Sequence, residues 1–184
     1  MTTSYAKMPI SLINKYIWDL AKQETQNVKD ANPQDIGESN DDYAIRIAPY
    51  LAALPFNTDS YNGIQPIFPV SENLAIDTQK TPFIIYDFLF SQPNGTAWFV
   101  DKEQATYTIV GELPQLFYVK TFIYDALKKF DQSAQELNNH IQDPDISFKW
   151  VKCDQSGFMI DEKRIDSFKP KFVTSLTLTY EYTK

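Results

Sequence analysis

One histidine, one cysteine and five glycines leave this 184-residue chain short of the groups from which most catalytic and cofactor sites are built. A Ser-His or Cys-His pair would have to use His140, which stands in the polar run Asn138-Asn139-His140 at an expected helix end, the place of a solvated histidine facing the helix dipole. Cys153, alone, excludes an internal disulfide, and with one histidine it cannot complete a zinc tetrahedron; a buried or strand-end thiol is expected. The glycines Gly37, Gly63, Gly95, Gly111 and Gly157 are scattered singly, so neither nucleotide-binding fingerprint is present. Carboxylates are plentiful, but nothing in their spacing selects a pair for acid-base work.

Positive charge is also scarce. Seventeen Lys and Arg stand against 24 Asp and Glu, a net charge of −7, which leaves no basic stripe to grip phosphates. The whole excess lies before Pro114, since residues 114–184 hold ten basic and ten acidic groups. No stretch approaches the roughly 20 apolar residues of a membrane span, and the opening MTTSYAKMPI has no apolar run of signal-peptide length, so a soluble, intracellular product is expected.

What the chain has in quantity is aromatic residues, with 13 Phe, 11 Tyr and 3 Trp. Such rings build cores and anchor interfaces, and Trp18, Tyr43, Phe56, Phe68 and Trp98 are the expected intersubunit anchors.

The pattern divides at Pro82. In residues 1–81, Ile10, Ile13, Ile17, Leu20 and Ala21 predict an amphipathic helix from Pro9 to about Gln26. Asn27 to Asp42 reads as a polar surface loop or disordered linker. Asp35, Glu38, Asp41 and Asp42 within it are the best candidates for a hard cation, but they lack EF-hand spacing, and no metal or cofactor is expected. The alternation of Tyr43, Ile45 and Ile47 predicts a short strand ending at Pro49, and the proline-rich segment that follows predicts an extended arm lying on its own domain or on a neighbouring subunit.

Residues 82–184 predict a compact α+β core. PFIIYDFLF, Pro82 to Phe90, is apolar on both faces apart from Asp87, as in a strand covered on both sides. Asn94-Gly95 marks a turn into a second strand with a break or bulge around Asp101 to Glu103. Pro114 opens a helix with the stripe Leu116, Val119, Ile123, Ala126, Leu127 and Phe130, and Ser133 with Glu136 predicts a capping box for a second, short helix. ISFKWVKC then alternates Ile146, Phe148 and Trp150 with Ser147, Lys149 and Val151. The closing KFVTSLTLTYEY places Phe172, Leu176, Leu178, Tyr180 and Tyr182 on one face of a strand and Ser175, Thr177, Thr179 and Glu181 on the other. The order β-β-α-α-β-β describes a mainly antiparallel sheet with helices on one face.

That succession, from PFIIYDFLF and ATYTIVGE through LFYVKTFIYDALKKF and DQSAQELNN to ISFKWVKC and FVTSLTLTYEYT, resembles the tail terminator or tail completion proteins of tailed bacteriophages. The resemblance implies a structural virion protein: a hexameric ring that caps the tail tube protein, stops tail growth, joins the tail to a neck protein and, in a contractile tail, holds the end of the sheath protein. DNA would pass an acidic lumen without a specific binding site. Another neck or head-completion protein shares these expectations, and an enzyme with an unrecognised carboxylate pair is the competing class.

Overall fold

The computed structural model describes residues 8–70, 80–93, 100–154, 161–163 and 171–183. The first helix, α1, runs Pro9–Ala31 with proline in its first turn. Ile10, Ile13, Ile17 and Ala21 recur every three or four residues and are all buried, and each isoleucine contributes about 1.5–3 kcal/mol by leaving water. The helix continues a turn beyond the predicted Gln26 because tertiary contacts hold its polar end. The Thr25 hydroxyl donates to Ala21 O (3.0 Å) with Phe56 O at 3.4 Å, and it accepts the Thr58 N–H (3.3 Å). Lys29 pairs with Asp59 at 2.7 Å.

Residues 43–48 form part of a helix, α2 (Asn40–Ala52), not the predicted strand, and the acidic run before them is a built turn. Ser39 Oγ accepts the Asp42 N–H (3.1 Å), the start signal that the alternation of Tyr43, Ile45 and Ile47 obscured. Glu38 receives both Nε (2.8 Å) and Nη2 (2.9 Å) of Arg46, whose Nη2 also reaches Pro33 O (2.8 Å). Helical geometry brings Ile47 and Leu51 to one buried face, four residues apart. Pro49 lies within the helix on the exposed side, where a carbonyl left without its N–H partner meets water.

The described part of the proline-rich segment, residues 50–70 and 80–82, folds onto its own chain. A 3-10 turn at Thr58–Tyr61 places the Tyr61 hydroxyl 2.6 Å from Pro82 O, and β1 (Ile67–Pro69) pairs in parallel with β2 (Phe83–Pro93). β2 pairs antiparallel with β3 (Val100–Gly111), and β3 with β6 (Lys171–Thr183). Both β4 (Ser147–Asp154) and β5 (Asp161–Lys163) pair antiparallel with β6, β4 along residues 177–183 and β5 along residues 171–173. The fold is therefore α+β, with a mixed, mostly antiparallel sheet of order β1-β2-β3-β6-β4. The bulge expected at Asp101–Glu103 sits instead on the partner strand, between Phe88 and Phe90, while Asp101 to Glu103 pair regularly with Pro93 to Ser91. The Asn94-Gly95 turn lies outside the described residues.

Helix α3 (Leu113–Leu127) packs across β3, β6 and β4, and α4 (Gln135–Ile141) follows a 3-10 turn at Lys128–Phe130. The predicted capping box does not form. The N-cap is Ala134, which has no side chain to cap with; it is buried, and its N–H goes to Lys149 O of β4 (3.0 Å), while Glu136 pairs with Lys129 (2.8 Å).

Leu176, Leu178, Tyr180 and Tyr182 of β6 are buried on the helix side of the sheet, as the sequence pattern predicts, opposite Tyr107 and Ala105 of β3 and Cys153, Val151 and Phe148 of β4. A bulge between Phe148 and Trp150 reverses the predicted parity of β4: Val151 and Cys153 join Phe148 in the core, and Trp150 leaves it. β2 is buried on both faces only at Phe83 and Ile84; beyond them Tyr86 points inward and Asp87 outward. The α1 residues, Phe56, Tyr61 and the sheet belong to one hydrophobic cluster, so Pro82 does not separate two cores. The Tyr107 hydroxyl donates to Asn14 Oδ1, tying α1 to the centre of the sheet.

Candidate functional site: an interaction surface

The predicted chemistry-bearing groups are dispersed. His140 is in the last turn of α4, its ring edge-on to Tyr16 and its Nε2 3.4 Å from Asp19, which Lys15 and Lys22 also contact. Cys153 is buried in β4, and desolvation pushes its thiol up to about 12. Among the described residues no three His, Cys, Asp or Glu side chains converge as a metal set. The acidic run uses Glu38 on Arg46 and Asp42 on Ser39, and the Arg46 fork holds the Glu38 carboxyl down to about 2. No described helix is long and apolar enough to cross a membrane.

Of the predicted anchors, Trp18 and Phe56 are buried inside the chain, edge to face at 6.3 Å, and both contact Tyr61. Their surface is spent on the chain's own core, because the proline-rich segment folds back on α1. Tyr43 is half-buried under the Arg46 guanidinium (5.4 Å), and Phe68 is half-buried on the edge strand β1. Trp98 lies outside the described residues.

Exposed apolar side chains lie elsewhere, and three of them, Leu113, Phe117 and Tyr118, are on α3. Leu116, Val119, Ile123, Ala126 and Leu127 face the sheet, but Phe117, Tyr118, Phe122 and Tyr124 give the helix a second apolar side. Thr121 and Asp125 interrupt that side, and large apolar side chains left in solvent beside them mark a contact surface. Here Phe117 and Tyr118 stay exposed. They border a groove of about 750 Å³ between α3, the Val28 end of α1 and the turn Ala53-Leu54-Pro55, floored by Phe122, whose ring meets Phe56 edge-on at 6.2 Å. A smaller hollow of about 280 Å³ shares Phe122 and continues along α1 to Leu20 and Gln23. Ile36, Ile45 and Tyr50, before and on α2, are further large apolar side chains in solvent. The signal for this surface was in LFYVKTFIY itself: once the core stripe is assigned, four aromatic residues remain on other faces.

The sheet face away from the helices is a second distinctive surface. In register across its centre stand Thr106 with Thr177, Thr108 with Ser175 and Gln104 with Thr179. At its end Lys102 pairs across from Glu181, reaches over the Trp150 ring (5.6 Å), and Lys149 binds Glu181 at 2.9 Å. Phe83 and Val110 close the other end.

At the start of β4 the outer edge is covered rather than offered for pairing. Asn138 Nδ2 donates to Phe148 O (2.7 Å) and its Oδ1 accepts the Phe148 N–H (2.8 Å), so one side chain imitates a neighbouring strand. No family model matches the chain, and no curated protein is detectably similar to it in sequence.

Proposed function

We propose that this chain is a structural subunit that works through its surfaces: a ring-forming tail terminator or tail completion protein of a tailed bacteriophage, capping the tail tube and joining it to the neck. The observation that carries the reading is the second apolar side of α3, with Phe117 and Tyr118 in solvent above the α1–α3 groove. A monomer gains nothing from that exposure, whereas a subunit buries it on assembly. The Asn138 cover at the start of β4 disfavours sheet extension there, and the uncharged Thr, Ser and Gln centre of the open sheet face suits a surface past which DNA slides. In a contractile tail the same ring would meet the sheath.

Light scattering of the purified chain, alone and with purified tail tubes, tests the reading. A mass of six subunits, or tubes bearing a cap at one end, is the expected outcome. A chain that stays monomeric, leaves tube ends bare and binds connector particles instead would assign it to the head side of the neck. A monomer that binds neither refutes the assembly role.

A further inference from the structure

We infer that the groove between α1 and α3 docks a segment of another polypeptide, one carrying an apolar side chain beside a lysine or arginine, with the apolar group over Phe122 and the cation against Glu24. The groove shares its Phe117 and Tyr118 rim with the surface on which the ring reading rests, but the inference goes beyond that reading and is carried by Glu24 and Phe122.

The walls are mostly apolar: Val28 from α1, Leu54 and Pro55 from the turn, and Phe117 and Phe122 from α3. A space of about 750 Å³ is enough for one or two large side chains. Glu24 stands apart from the other polar side chains of the lining, Asn27, Thr121 and Asp125. It is half-buried, burial raises its pKa, and no cation or hydrogen-bond donor among the described residues meets its carboxylate. The neighbouring acids are served differently: Asp125, on the opposite wall, is bound by Lys128 at 2.6 Å, Asp19 by Lys15 and Lys22, and Asp59 by Lys29. A partly desolvated carboxylate facing an apolar groove is stabilised by an occupant that brings a positive charge, and it disfavours phosphate-bearing or acidic occupants. A cation next to an apolar anchor is the pattern that meets both the walls and Glu24.

The test is selection of a random dodecapeptide library on the purified full-length chain. Enriched peptides are expected to hold an aromatic or branched aliphatic residue within about four positions, one helical turn, of Lys or Arg. The best of them, synthesised, should bind Glu24→Gln about tenfold more weakly, the loss of one charge-assisted hydrogen bond at a half-exposed site. Thr121→Arg places a guanidinium at the exposed rim of the same groove and should abolish binding, with thermal melting showing that both variants fold. Absence of enrichment relative to Thr121→Arg, enrichment of acidic peptides, or affinity indifferent to Glu24→Gln overturns the inference. Self-association abolished by Thr121→Arg, without peptide binding, would make the occupant a second copy and overturn it as well. A ring that forms but selects no peptide refutes this inference alone; peptide binding by a chain that never assembles refutes the ring alone.

Discussion

Asn138 offers the sharpest test of how the fold is held. Its side chain makes two hydrogen bonds to the backbone of Phe148 and stands where a neighbouring strand would stand. Each neutral bond of this kind contributes about 1 kcal/mol net. Asn138→Ala removes both, but the freed N–H and C=O lie at a sheet edge that water can reach, so the expected loss is about 1–2 kcal/mol, or about 2–8 °C in melting temperature for a chain of this size. Asn138→Asp is more discriminating. At neutral pH its carboxylate still accepts from Phe148 N–H, but it faces Phe148 O with a charge and no donor, so it should be less stable than the alanine variant. Protonated, it regains a donor. The folded state therefore raises the aspartate pKa above its unfolded value near 3.9; the stabilisation is full below that value and is lost as pH rises through the folded pKa. Chemical denaturation of wild type and both variants between pH 4 and 7 measures this. The deficit of Asn138→Asp should shrink relative to wild type as pH falls. A deficit that is flat with pH, or an alanine variant as stable as wild type, would show that Asn138 does not hold the edge.

Three further outcomes are expected. Because the Arg46 fork depresses Glu38 to about 2, the turn that joins α1 to α2 should keep its order above the unfolded glutamate pKa and lose it as pH falls from about 4.5 toward 2; hydrogen exchange across residues 33–46 that is unchanged over that range would refute the fork's role. Cys153, buried with its thiol raised to about 12, should react with a thiol reagent at pH 8 only at the rate of unfolding, and prompt labelling of the native chain would contradict its placement. Deleting residues 174–184 removes the part of β6 to which all of β4 and most of β3 pair, and should abolish cooperative unfolding; a truncated chain with a sharp transition would overturn the sheet order.

The sheet and its helices were legible because their signals are local and mutually consistent. β6 alternates without interruption, and α1 and α3 keep their stripes for several turns. The errors fall where a tertiary contact or a single inserted residue decides. Tyr43-Ala44-Ile45-Arg46-Ile47 alternates like a strand, yet Ser39 starts a helix and Arg46 bolts it to Glu38. Lys149 adds one residue to β4 and moves Trp150 to the open face. For the surface, aromatic identity alone pointed at Trp18 and Phe56, which the returning proline-rich segment buries, while Phe117, Tyr118 and Glu24 needed the packing partners of α1 and α3 to stand out. An unpaired carboxylate has no signature in a sequence with 24 acids.

The Thr25 clamp has a topological consequence. It joins α1 to Phe56 and Thr58, more than thirty residues later, and Lys29–Asp59 repeats the junction a helical turn away. Everything between, including the Glu38–Arg46 turn and α2, leaves the body and returns to it at the same place. This excursion is a cassette: its length and sequence can vary while the root stays shut, as loop-closure entropy grows only slowly with length. Since Leu54 and Pro55 at its returning end form one wall of the α1–α3 groove, exchanging the cassette would reshape what the groove accepts without rebuilding the core beneath it.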